Sequence, residues 1–298
     1  MQRARDAALV LPNKCRDAYS FEDVLGHQNS LYGNEVSVVD LSRIDFIEPY
    51  SMIGLLLLGR TYLRNTGQKL TLAGMQQPIH QYLSRMDFFK WGCFAEAVEL
   101  DKSKQLKRSS FSNRVVEITE IPNRERESIA AITGIIAVFR KRAEHILKYW
   151  MADSTVDYFV TVISEVCQNI FEHSMDSGYC AVQTYSLAGE HVLRLVIADS
   201  GIGIPRSFSA KPEIVAESNA RLVEMALTTP ISSKRKAGYG LCQVNAIVEK
   251  LRGSIFLRSA DSSVAVLYNR KRVGPGQVFL KNGLTGFPGT QISISLFG

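Results

Sequence analysis

Apolar positions recur at strand-like and helix-like periods along the chain, and the changes of period mark its elements. Residues 35–41 read as a strand and residues 45–49 as a loop. A helix then runs from about Tyr50 to Thr66, with Pro49 at its start and Gly67 just past its end. Proline suits a first helical turn, and glycine after the last turn is a stop signal. Residues 69–73 read as a second strand, which completes a βαβ unit, and a further helix follows through Ile79, Tyr82, Leu83 and Met86. Residues 101–112 are polar and basic and read as a linker, so that domains are expected at 1–100 and 113–298.

Beyond the linker, residues 115–118 read as an edge strand and residues 124–150 as a helix. A second helix over residues 157–174 places Tyr158, Val162, Val166, Cys167 and Ile170 at helical spacing. Residues 192–198 form an apolar β-branched strand. An amphipathic helix covers 241–251, and residues 254–259 and 292–296 are strands. Between those two strands, residues 264–268 and 277–280 read as a long basic hairpin with Gly274, Pro275 and Gly276 at its turn.

Four short segments carry chemistry. Glu165 and Asn169 are i and i+4 on one helix face, so their side chains converge. A carboxylate can orient or deprotonate a hydroxyl or water, and an amide oxygen suits magnesium held mainly by phosphates. The spacing also fits an ordinary solvated helix face. Asp199 stands at a strand end before Gly201, Gly203, Ile204 and Pro205. Glycine there permits turning and close approach, and a buried Asp can accept from an exocyclic amine. A polar stretch from Thr228 through Lys234, Arg235 and Lys236 leads into Gly238, Tyr239, Gly240 and Leu241. The free amides of that helix start can bind phosphate, and the three cations add positive charge beside it. Gly289 and Thr290 precede the last strand.

The ordered set over residues 113–298 resembles the ATP-binding domain of the GHKL superfamily, shared by gyrase-type ATPases, histidine kinases and anti-sigma-factor serine kinases. The anti-sigma-factor kinases are the most similar branch, through Glu165, Asn169 and His173 and through Thr228, Thr229, Arg235, Gly238 and Gly240. The resemblance implies a Bergerat α/β sandwich with helices on one face of a mixed sheet. It implies Mg-ATP, with Glu165 as general base and Asn169 as magnesium ligand. Asp199 would read adenine with Thr290 near it, and Gly201 and Gly203 would allow close approach. Residues 30–100 resemble a STAS domain, but Glu48, Pro49, Tyr50 and Ser51 stand where phosphorylatable members carry Asp-Ser-Ser-Gly. The N-terminal domain is therefore expected to dock or regulate, not to serve as an in-cis substrate. His145, after Glu144, is the best candidate for a phosphohistidine, but no complete helical hairpin precedes the Glu165 helix.

The 298 residues, 46% hydrophobic, suffice for two modest cores. Cysteines 15, 93, 167, 180 and 242 show no paired spacing, no metal cluster is evident, and no apolar run is long enough to cross a bilayer. The amino-terminal residues lack a signal core, so a cytoplasmic location is expected. The formal charge of +6 is spread over the chain without a nucleic-acid recognition motif, and no Walker-type phosphate loop is present. These observations favour an α/β signalling regulator that binds Mg-ATP and phosphorylates or sequesters a protein partner, such as a sigma factor or a STAS protein. A non-kinase ATPase switch, an ATP-gated scaffold and a homodimer stay open.

Overall fold

The computed structural model of the chain describes residues 8–15, 18–32, 36–98, 112–123, 129–147, 154–187, 189–211, 213–234, 238–271 and 274–297. Two compact units, Met1–Phe111 and Ser112–Gly298, divide it. Residues 101–111 of the expected linker, the ends of the expected 124–150 helix, and Arg235 and Lys236 lie outside the described residues.

The N-terminal unit contains β1 (Ala8–Val10), β2 (Lys14–Cys15), α1 (Ala18–Leu25), α2 (Gln28–Tyr32), β3 (Val38–Asp40) and β4 (Phe46–Ile47). It continues with α3 (Pro49–Thr66), β5 (Leu70–Ala73), α4 (Gln77–Arg85) and β6 (Phe94–Ala97). Strands β1, β3, β5 and β6 form a parallel sheet in that order. The βαβ unit read from the sequence is its centre, β3-α3-β5. Helix α3 is apolar almost all round because it is covered on several sides. Gly54 meets the Phe21 ring and Gly59 the Phe94 ring, where an added Cβ would lie 2.4 and 2.5 Å from ring atoms. Gly67 ends α3 in the left-handed conformation, its amide donating to the Leu63 carbonyl at 2.8 Å. Ser51, in the first turn of α3, is only 1% exposed.

The C-terminal unit begins with β7 (Val115–Ile121), α5 (Ile129–Leu147) and α6 (Ser154–Asn169), which runs into a π-helical turn at Ile170–Ser174. It continues with β8 (Gly178–Leu187), β9 (Glu190–Asp199), α7 (Gly203–Ser207), α8 (Asn219–Thr228), α9 (Gly240–Lys250), β10 (Ser254–Ala260), β11 (Ser262–Leu267), β12 (Gln277–Lys281) and β13 (Phe287–Phe297). The sheet order is β12-β11-β10-β13-β9-β8-β7, with β7 at one edge. Every pairing is antiparallel, which corrects the expectation of a mixed sheet. The physical reason lies in β13. The helical crossover from β9 to β10 leaves those strands parallel to each other, and β13 inserts between them antiparallel to both.

One face of this sheet carries the core. Alternate residues such as Leu193, Leu195 and Ile197, or Ile292, Ile294 and Leu296, join Phe139, Phe159, Val223 and Val244 of the helices in a single buried cluster. Helices α5, α6, α8 and α9 therefore cover one face, each buried large apolar side chain contributing about 1.5–3 kcal/mol. Arg258 of β10 does not join that cluster yet is fully buried. Its guanidinium donates to the Ala260 carbonyl at 2.8 Å and to the Thr285 carbonyl, tying down the β12–β13 connection.

Candidate functional site

The four segments singled out in the sequence converge on a cavity of about 360 Å³, within the size range of small-molecule sites. Glu165 and Asn169 of α6 line it one helical turn apart, as their spacing predicts. Gly240, the first residue of α9, closes on them. A Cβ there would sit 2.9 Å from Glu165 Oε2, so a larger residue would push that carboxylate aside, and 3.5 Å from Asn169 Nδ2, an ordinary contact. Gly238, Tyr239 and Leu241 also line the cavity, Tyr239 while 66% exposed. Burial raises the Glu165 carboxyl above its usual range, and the nearby Glu172 carboxylate adds to the shift.

The opposite wall is built around Asp199. Ser174, the last residue of the π-helical turn, donates its hydroxyl to Asp199 Oδ1 at 2.6 Å, and the Gly201 amide donates to the same oxygen at 2.8 Å. Asp199 is 4% exposed, and burial pushes its carboxyl up to about 6. The Ser174 hydroxyl and the Gly201 and Thr290 amides oppose that rise, while neighbouring Asp176 adds to it. Asp176 is held in turn by the Ser200 hydroxyl at 2.7 Å and the Ser177 amide at 2.8 Å. Around Asp199 the walls are apolar, from Ile170, Ile197, Ile204, Phe208, Leu257 and Ile292. A flat ring with an exocyclic donor fits this combination of apolar plates and one buried acceptor.

The glycines split their work. Gly203 lines the cavity with φ 73°, whereas Gly201 packs against the Ser174 carbonyl, where an added Cβ would lie 1.8 Å away. Close approach at Gly201 is thus chain against chain. Gly289 has φ 81° and would place a Cβ 2.1 Å from the Asp199 carbonyl oxygen. Thr290 lines the cavity, its hydroxyl 3.1 Å from Ser259 Oγ. Ser259 also accepts from the Ile204 amide at 2.8 Å and donates to the Gly289 carbonyl at 3.0 Å, joining the Asp199 loop to β13.

The segment between α8 and α9 differs in part from its sequence reading. Thr228 belongs to α8, its hydroxyl bonded to the Glu224 carbonyl at 3.0 Å, so the polar stretch starts one residue later than Thr228. Lys234 does not line the cavity but donates to the Glu172 carbonyl oxygen. Sequence reasoning gave no role to Ser174, Ser259, Gln168 or Ser233, although Gln168 and Ser233 fall within the segments it singled out. Gln168 shares the face of Glu165 and Glu172, which an i+3 count would have found. Ser174 and Ser259 meet their partners 25 and 31 residues away, with no local signal. Among the described residues no group of three His, Cys, Asp or Glu could hold a metal, so a divalent ion here would draw most of its oxygens from phosphates and water.

None of the curated proteins compared with the chain matches it. Residues 155–294 match the family model described as histidine kinase-, DNA gyrase B- and HSP90-like ATPase, a span that holds Glu165, Asn169, Asp199, Gly240 and Thr290. The C-terminal unit therefore carries, over those residues, an ATP-binding domain of the histidine kinase-, DNA gyrase B- and HSP90-like ATPase family.

Proposed function

We propose that this cavity binds Mg-ATP and that the protein is a signalling regulator which phosphorylates or sequesters a separate protein partner, in the manner of anti-sigma-factor serine kinases. The observation that carries the reading is the convergence of Glu165, Asn169 and the start of α9 on one side of the cavity with Asp199 and Thr290 on the other. Asp199 would accept from the adenine amine between the apolar walls. The α9 amides would meet phosphate oxygens, and Asn169 would complete the magnesium shell. Bound Mg-ATP supplies the phosphoryl group and its electrophilic phosphorus. Glu165, with its raised carboxyl, would take the proton of an incoming hydroxyl. The burial of Ser51 supports a separate partner, such as a sigma factor or a STAS protein, over the start of α3 as acceptor.

A general base and a binding residue separate in one experiment. Glu165→Gln is expected to keep ADP affinity within a few fold while lowering turnover by about two to four orders of magnitude. Turnover is to be read both as phosphate release and as label on candidate partners. Unchanged turnover would remove Glu165 from the chemistry. Wild-type binding with neither release nor transfer would leave an ATP-gated scaffold.

A further inference from the structure

We propose that Ser233, in the segment between α8 and α9, is a phosphoacceptor, so that the chain phosphorylates the loop beside its own cavity. The inference rests on the reading of that cavity as a Mg-ATP site. Ser233 lines the same cavity as Glu165 and Asp199, and its Oγ lies 3.3 Å from His173 Nδ1. The other ring nitrogen, Nε2, faces Glu172 Oε2 at 3.8 Å. Glu172 is itself fixed, its Oε1 accepting from Gln168 Nε2 at 2.8 Å and its backbone carbonyl from Lys234 Nζ. With the ring proton on Nε2, toward the carboxylate, Nδ1 presents its lone pair to the Ser233 hydroxyl. Hydroxyl and imidazole then form the nucleophile–base pair, and the Glu172 carboxylate, 3.8 Å from the far ring nitrogen, favours by its charge the imidazolium that forms. Ser232, the preceding residue, packs against Gly238, where an added Cβ would lie 2.8 Å from Ser232 Cβ. The same stem leads directly into Gly240, which closes on Glu165. The acceptor is thus carried by the segment that enters the α9 N-terminus, where phosphate would bind.

In the transfer, Ser233 Oγ bonds to the γ-phosphorus and its proton passes to His173 Nδ1. The bond from that phosphorus to the β,γ-bridging oxygen breaks, and ADP leaves with the electron pair. The phosphoserine places about −1.5 to −2 charges beside Glu172 and near Glu165, which disfavours a second triphosphate in the cavity. The loop then records one turnover and weakens the next binding event.

Binding is measured first, by titrating the full chain with Mg-ADP. The protein is then incubated with Mg-ATP and its peptides are mapped by mass. The expected result is one phosphoryl group on Ser233, absent in Ser233→Ala and restored on the new hydroxyl in Ser233→Thr. In His173→Asn the label should accumulate roughly a hundredfold more slowly, and the phosphorylated wild type should bind ATP more weakly than the unmodified protein. ADP binding without label on Ser233, or with label on Ser232 instead, overturns the inference and leaves the nucleotide site standing. Absence of nucleotide binding overturns both.

Discussion

Asp199 is only 4% exposed and is held at one oxygen by two protein donors, and that arrangement dictates how the site should respond to substitution and to pH. Both Ser174 and Gly201 donate to Oδ1, a role an amide oxygen can also fill. Asp199→Asn should therefore fold, but it would turn an NH2 group toward the adenine amine, donor against donor. Losing a charge-assisted bond costs about 1.5–3 kcal/mol, so ADP affinity is expected to fall roughly ten- to a hundredfold in a calorimetric titration. The acid side gives a second test of the same residue. Burial raises the Asp199 carboxyl from 3.8 to about 6 in the folded state. Its contribution to stability is therefore full below the unfolded value and lost as pH rises through about 6. Nucleotide binding has the opposite sign, because the amine needs the ionised form. Affinity should be flat above about pH 6 and weaken by up to tenfold per unit below it, a slope that Asp199→Asn should abolish.

Among the elements, the site depends on the places where strands and helices come closest, and glycines hold those places. Gly289 combines a left-handed backbone with direct contact on the Asp199 carbonyl. Left-handed geometry alone costs a side chain about 1–2 kcal/mol, and the clash adds to it, so Gly289→Ala should lower stability by at least ~2 kcal/mol in urea unfolding. An unchanged midpoint would mean that β13 can shift away from Asp199 freely. These approaches also divide what was legible in the sequence from what was not. The β-branched run ending at Asp199, the i,i+4 pair Glu165 and Asn169, and the Gly-rich start of α9 carry local signals, and the structure brings all three to one cavity. Strand β8 and helix α8 escaped because neither contributes to those motifs. Thr228 looked like the start of a polar loop, yet it closes α8 through its bond to the Glu224 carbonyl. The antiparallel sheet was hidden for a related reason. The pairings β8–β9, β10–β11 and β11–β12 are local hairpins, but the insertion of β13 between β9 and β10 sets the rest, and strand order is a long-range property that no local period encodes.

For the molecule as a whole, the two units differ in what they can gain from a ligand. The C-terminal core cluster contains no residue of the N-terminal unit, whose own buried set is centred on α3 and the parallel sheet. The family match and the cavity both belong to the C-terminal unit. A nucleotide that binds only the folded C-terminal unit stabilises it by mass action, about 2.7 kcal/mol at roughly a hundredfold excess over Kd. For a unit of this size that corresponds to a rise of roughly 5–10 °C in its midpoint. Scanning calorimetry of the full chain should accordingly show two transitions, of which Mg-ADP moves one and leaves the other in place. Asn169→Ala should keep both transitions, because the residue faces the cavity and not the core, while losing the part of the shift that depends on magnesium. Loss of the C-terminal transition in that variant would make Asn169 a structural residue. Equal movement of both transitions by nucleotide would show instead that the two units unfold as one, and that binding at Asp199 is felt across the whole chain.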